Sequence, residues 1–200
     1  LIPVLKRLQG KLAVPVSVDT YKSAIARRAL DLGVEVINDP SGLTFDPQLA
    51  KVVAQYDAGL ILNHMRGTPE TWPKLPPMRD AAGTVTKELE STIHRALRAS
   101  VVRARIVADP GLGFGKRKEQ NSELIAFLPR MAPLDVPLMV GPSRKSFLAQ
   151  ATERETEFAT AAAVAACILN GAHMVRVHDV KAMAAAAQVA DAVLRAGLTE

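Results

Sequence analysis

Short runs of almost unbroken apolar residues alternate along the chain with longer stretches in which apolar residues return every three or four positions. The short runs are "VPVSVD" (14 to 19), "VEVIND" (34 to 39), "GLILNHM" (59 to 65), "RIVAD" (105 to 109), "VPLMVG" (136 to 141) and "HMVRVH" (173 to 178). Strands buried on both faces have this pattern. Each is followed by a helical pattern: "YKSAIARRALDLG", "DPQLAKVVAQYD", "AAGTVTKELESTIHRALRAS", "EQNSELIAFLPR", "TEFATAAAVAACILNG" and "KAMAAAAQVADAVLRAG". Gly33, Gly171 and Gly197 stand where helix C-caps are expected, and "LIPVLKRLQG" adds a leading helix. A repeated βα unit predicts a parallel sheet, either doubly wound or closed into a barrel.

Polar residues decide between the two. A doubly wound sheet gathers its site at one switch point, whereas a barrel draws a residue or two from the C-terminal end of many strands. Here the strand ends carry Asp19, Asn38, Asn63 with His64, Asp109, Ser143 with Lys145, and Arg176 with His178. The expectation is α/β, a (β/α)8 TIM barrel with six of its eight βα units in this chain, and residues 1–200 as one domain. Such barrels run to about 250 residues, so about 50 to 60 residues, holding two βα units, are expected before Leu1.

Composition narrows the function classes. With 48% hydrophobic and 22% charged residues, the chain can build a core and reads as a soluble globular domain. The net charge of +5 is spread along the sequence and aromatics are only 4%, so no basic tract or stacking platform points to nucleic acid. A small anionic substrate fits that charge better. Cys167, the one cysteine, lies in an Ala-rich run and reads as a small core residue; it excludes an intrachain disulfide and suits a reducing, cytoplasmic compartment. No apolar stretch reaches the roughly 18 residues of a membrane span.

The segment "RIVADPGLGFGKRKEQ" (105 to 120) sets an acid and three glycines behind a strand. It is not a Walker loop, since Pro110 and Arg117 occupy the positions that need Gly and Ser or Thr. It is not a dinucleotide loop either, because Lys116 stands where the third glycine belongs. Asp109 is therefore the residue to explain. Pro110 cannot donate a backbone N–H and the glycines bring no side chain, so a ligand with N–H donors is the natural partner for a buried carboxylate.

Other candidates have ordinary readings beside the functional one. Asp19 competes with Thr20 and Ser23 as a helix cap, and Asn38 with Asp39 suits an Asx turn before Pro40. His64 and Arg66 read as solvated loop residues. His94 and His173 receive no role. Arg144 and Lys145 sit at an expected helix start, against the helix dipole, which favours an anionic or carbonyl partner. Arg176 alternates with Val175 and Val177 and faces away from them, which calls for an acidic or planar ligand. No set of residues has zinc spacing and no serine sits in a nucleophile elbow.

Taken in order, "SVDTYKSAIARRAL", "VINDPSGL", "LNHMRGTPETW", "IVADPGLGFGK", "VGPSRKSFL" and "ATAAAVAACILNGAHMVRVHDV" resemble the dihydropteroate synthase family from about residue 14 to 180. The resemblance implies a (β/α)8 barrel and a transferase of folate biosynthesis, a sulfonamide target. It would condense 6-hydroxymethyl-7,8-dihydropterin diphosphate with p-aminobenzoate, releasing diphosphate with the help of Mg²⁺. By the same resemblance Asp19, Asn38 and Asp109 hydrogen-bond the pterin, Lys145 contacts its carbonyl, and Arg176 lies against its ring and, with His178, faces the diphosphate. Ser146 sits near the carboxylate of p-aminobenzoate at a helix start, and Phe114, Met65 and Gly141 line the substrates. Asp19, Lys145, Arg176 and His178 take the catalytic roles. Asp19 is also the possible Mg²⁺ ligand, the main one being expected before Leu1 along with the family's first two strand-end loops. Small-molecule substrates and a homodimer are the expected partners. The alternatives are a pterin-binding methyltransferase, against which "SRKSF" and "RVHDV" speak, and a non-catalytic pterin-binding fragment.

Overall fold

The computed structural model describes residues 1–197. They form two compact units, residues 1–65 with 87–108, and residues 66–86 with those from 109 onward.

The first unit holds α1 (Ile2–Leu8), β1 (Ser17–Asp19), α2 (Ser23–Leu30), β2 (Val36–Asp39), α3 (Gln48–Gln55), β3 (Gly59–Asn63), most of α4 (Ala81–Arg98), and β4 (Ile106–Asp109) up to its last residue. The strands run in the order β1-β2-β3-β4. β1 pairs parallel with β2, and β2 with β3, setting Asp19 beside Asn38 and Asn38 beside Ile61. Ile37, Leu60, Leu62 and Ile106 are wholly buried in this sheet, as are Ala26 and Ala29 of α2 and Leu49 and Val53 of α3. The unbroken apolar runs thus mark strands covered on both faces. Gly33 ends α2 at a φ of +86°, with Val34 N–H returning to the Ala29 carbonyl, a closure that favours glycine.

The second unit holds α5 (Lys118–Ala126), β5 (Met139–Val140), α6 (Glu153–Leu169), β6 (Met174–Val175) and α7 (Val180–Gly197). β5 and β6 pair parallel, Val140 opposite Val175. α6 packs along α7 through Val164, Ile168, Met183 and Ala190, with Val175 and Val177 laid against them. Thr152 caps α6, its hydroxyl accepting from Glu155 N–H while the Glu155 carboxylate takes Thr152 N–H. Cys167 is buried, as expected of a small core residue, and burial pushes its thiol up to about 12.

The parallel βα alternation is as the pattern predicts, but hydrogen-bonded strands are shorter than the apolar runs, and they form a four-stranded and a two-stranded sheet rather than one. In the run 136–141, Pro137 has no N–H for a ladder, and pairing is confined to Met139–Val140. The predicted helix 119–130 divides in the same way. α5 stops at Ala126 and a tighter 3-10 stretch, Leu128–Leu134, carries Pro129 and Pro133. Among the described residues no helix is long and apolar enough to cross a membrane.

Candidate functional site

In the first unit the end of β2 divides labour between two adjacent polar residues. Asp39, wholly buried, accepts from the N–H and hydroxyl of Ser41, both at 2.8 Å, and from Leu43 N–H at 2.6 Å. Burial raises its pKa, and those three donors pull against the rise. Asp39 therefore makes the turn, and Asn38 does not. Asn38 instead donates through Nδ2 to Asp19 Oδ1 at 2.9 Å, and its buried Oδ1 has no hydrogen-bond partner among the described residues. Asp19 is solvent-exposed and caps no helix: α2 starts after Lys22, whose N–H is taken by Thr20.

β3 ends in Asn63, which donates to the Pro40 carbonyl at 2.8 Å, and His64 follows. The solvated-loop reading of His64 is corrected here. The ring is buried, and Nε2 lies 2.8 Å from Glu88 Oε2 on α4. A histidine behind an apolar run whose partner lies 24 residues on gives no local sign of burial. Met65 is half-buried at the end of this segment.

The second unit contains the glycine segment. Asp109 is buried at 6% exposure, and its Oδ1 accepts from Gly111 N–H at 2.7 Å. The chain thus supplies a donor that the sequence reading overlooked, two residues on and past Pro110. Desolvation dominates its titration and lifts it to about 6, against the lowering by Gly111 N–H, Lys116, Lys145 and Arg176. Gly111, Gly113 and Gly115 all have positive φ, +67°, +80° and +69°. At Gly113 an added Cβ would meet the Lys145 side chain at 3.2 Å. At Gly115 it would fall 2.5 Å from the Arg66 carbonyl and 3.0 Å from Trp72. The glycines therefore let a Lys145 side chain and the 66–72 segment approach closely.

A prediction follows for Gly115→Ala. Left-handed φ and overlap with a backbone oxygen act together, so urea unfolding should show a loss of about 1 to 3 kcal/mol. Gly113→Ala, which meets only a flexible lysine stem, should lose less. Equal stability of wild type and Gly115→Ala would contradict this packing.

Phe114 stands between two partners. Trp72 meets its ring in an edge arrangement, centroids 5.7 Å apart, and Lys145 Nζ lies 4.4 Å from its centroid on the cation–π side. Burial lowers the Lys145 pKa and Arg176 adds to the lowering, while Asp109 opposes it. Asp109, Phe114, Lys145 and Arg176 are thus one electrostatic group.

Arg176 follows β6, its N–H on the Val140 carbonyl at 2.9 Å. It is exposed, while Val175 and Val177 pack against α6 and α7, so the alternation is as expected. A Cβ added to Gly141 would lie 3.7 Å from Arg176 Cβ, an ordinary contact. His178 is tied to Ser143 through Nδ1 and Oγ at 2.9 Å, with its N–H on the same hydroxyl at 3.2 Å.

The expected helix start at Ser146 needs correction. Ser146–Leu148 is a single 3-10 turn with Lys145 before it, and α6 begins only at Glu153. The dipole of one such turn is small, so it does not account for charge at Ser146. Arg144, at φ +55°, is anchored by its N–H to Thr160 and by Nε to Glu157. The sequence reading also passed over Lys116 and Trp72. The only local signal for Lys116 is a lysine closing a segment too flexible to hold itself.

The fold has close counterparts. The family model described as "Pterin binding enzyme" matches residues 1–178. A dihydropteroate synthase from Synechocystis sp. is 41% identical over 198 residues, covering 97% of this chain and 68% of that protein. One from Mycobacterium leprae is 37% identical, covering 98% and 72%. Among solved structures, dihydropteroate synthase from Xanthomonas albilineans in complex with 7,8-dihydropteroate superposes with a TM-score of 0.88 at 34% identity, covering 97% of this chain and 72% of that one. The chain belongs to the pterin-binding enzymes and, within them, to the dihydropteroate synthases.

Proposed function

We propose that Asp109, Phe114, Lys145 and Arg176 hold the pterin during the condensation that defines this family. The observation that carries the reading is a buried carboxylate at a strand end, facing an ammonium and a guanidinium beside an aromatic ring. A pterin edge presents an amino group and a ring N–H beside a carbonyl. Asp109 as carboxylate accepts from the first two, and Lys145 Nζ donates to the third. The planar Arg176 guanidinium suits the face of the ring. Asn38 is read as a pterin contact too, because its buried Oδ1, without a hydrogen-bond partner among the described residues, is an acceptor in need of an N–H; Met65 and Gly141 are read as lining residues.

The chemistry asks for no protein nucleophile. The bond from the pterin methylene to diphosphate breaks, positive charge develops on the methylene and ring, and the arylamine nitrogen attacks and then loses a proton. Fixed charges serve that step best, because they are oriented before the charge appears. Arg176 and His178 suit the departing diphosphate, Asp19 suits the cation, and Ser146 offers a hydroxyl to the p-aminobenzoate carboxylate.

Among the described residues no group of three or more His, Cys, Asp or Glu can hold a metal. Asp19 is nevertheless an exposed hard oxygen donor, which fits Mg²⁺, an ion that keeps several waters and takes one or two carboxylates plus substrate phosphates. Bound there, Mg²⁺ would supply neutralisation of the leaving diphosphate. A homodimer in the cytoplasm completes the reading. The Ala-rich α7, with Val180, Val189 and Val193 exposed, suits a twofold mate.

The test is mass spectrometry of products from the complete protein given pterin diphosphate and p-aminobenzoate. One dihydropteroate and one diphosphate per turnover are expected. Pterin binding without condensation would favour the non-catalytic reading.

A further inference from the structure

Between Asp109 and Lys116 the chain has three glycines at positive φ, and such a segment has many conformations open to it. Side-chain and backbone bonds limit it. Gly113 N–H donates to Asn121 Oδ1 at 2.7 Å, and Phe114 N–H to the Gly111 carbonyl at 3.1 Å. Arg66 N–H also reaches the Phe114 carbonyl, at 3.4 Å. Lys116 adds a further restraint, its half-buried side chain turning back into its own loop. Nζ donates to the Gly111 carbonyl at 2.8 Å and to the Phe114 carbonyl at 3.2 Å.

We propose that Lys116 is a positioning residue: its ammonium staples the Gly111 and Phe114 carbonyls together, holding the Gly111 amide on Asp109 and the Phe114 ring against Lys145. Lysine suits the task because it offers three donors and no acceptor, so two carbonyls can be satisfied at once. The staple spans the stretch that contains Gly113, where freedom is greatest. Its two anchor points are the residues that touch Asp109 and Lys145. The charge has a second consequence. Asp109 is faced by Lys116, Lys145 and Arg176, and by the neutral Cys167 thiol, so Lys116 is one of three cations that hold it ionised. The proposal rests on the reading of this cluster as a pterin site, but the arrangement can be tested without substrate.

The experiment compares Lys116→Met and Lys116→Gln with wild type in the complete protein, using amide hydrogen exchange and carboxyl ¹³C titration of Asp109. In Lys116→Met the Phe114 amide should exchange at least about tenfold faster, and Asp109 should titrate at higher pH by about half a unit. Lys116→Gln keeps N–H donors without charge. It should restore most of the exchange protection while leaving the titration shifted. Affinity for 7,8-dihydropterin should fall about tenfold in the Met variant. Wild-type exchange and an unmoved Asp109 titration in Lys116→Met would overturn the proposal. If that variant does not fold, the Gln titration decides, a shift supporting the proposal and no shift overturning it. Failure of wild type to bind dihydropterin would count against the site reading alone, since exchange and titration still judge Lys116.

Discussion

Asp109→Ala should lose pterin binding by about 2 to 5 kcal/mol, on the order of a thirtyfold to several-thousandfold rise in Kd by calorimetry. Two effects add. The pterin N–H groups lose their charged acceptor, and Lys116, Lys145 and Arg176 lose a carboxylate with which all three interact. Stability should move little or in the other direction, because the native state no longer carries a buried carboxylate. Asp109 has its pKa raised from 3.8 to about 6, so its contribution to stability is fully present below the lower value and is lost as pH rises through about 6. That loss is on the order of 3 kcal/mol for the wild type at neutral pH. A variant that binds pterin normally would remove Asp109 from the site.

Lys145→Met is the second large effect, and it should fall on turnover. Methionine keeps the apolar stem beside Phe114 but removes the donor to the pterin carbonyl. A drop of about 10² to 10³ in kcat is expected, as for loss of one preorganised donor. The melt should be unchanged or higher, since burial already lowers the lysine pKa and costs stability in the charged form. Loss of stability matching the loss of activity would make Lys145 a structural residue instead.

Much of this architecture was legible from local pattern. Unbroken apolar runs marked each strand, and the place of Asp109 at a strand end before three glycines marked it as the residue to explain. What escaped depended on partners far along the chain or on the exact backbone path. Asn38 and Asp39 are chemically alike in the sequence, and only the turn geometry hands Ser41 and Leu43 to Asp39 and leaves Asn38 for Asp19. The Gly111 amide reaches Asp109 because a positive φ folds the loop back, a conformation that three glycines permit but do not announce. The family resemblance put Ser146 at a helix start, yet the backbone closes one 3-10 turn there and α6 begins only after Thr152 caps it.

The central claim is that Asp109 binds the pterin as a carboxylate, and the pH dependence of dihydropterin affinity in wild type and Asp109→Asn tests it most directly. With the wild-type carboxyl near 6, affinity should hold at neutral pH and fall about tenfold per pH unit below that point. In Asp109→Asn the affinity should be low throughout and the acid limb should vanish. A wild-type profile that stays flat through pH 6, or an acid limb that survives in Asp109→Asn, would contradict the account.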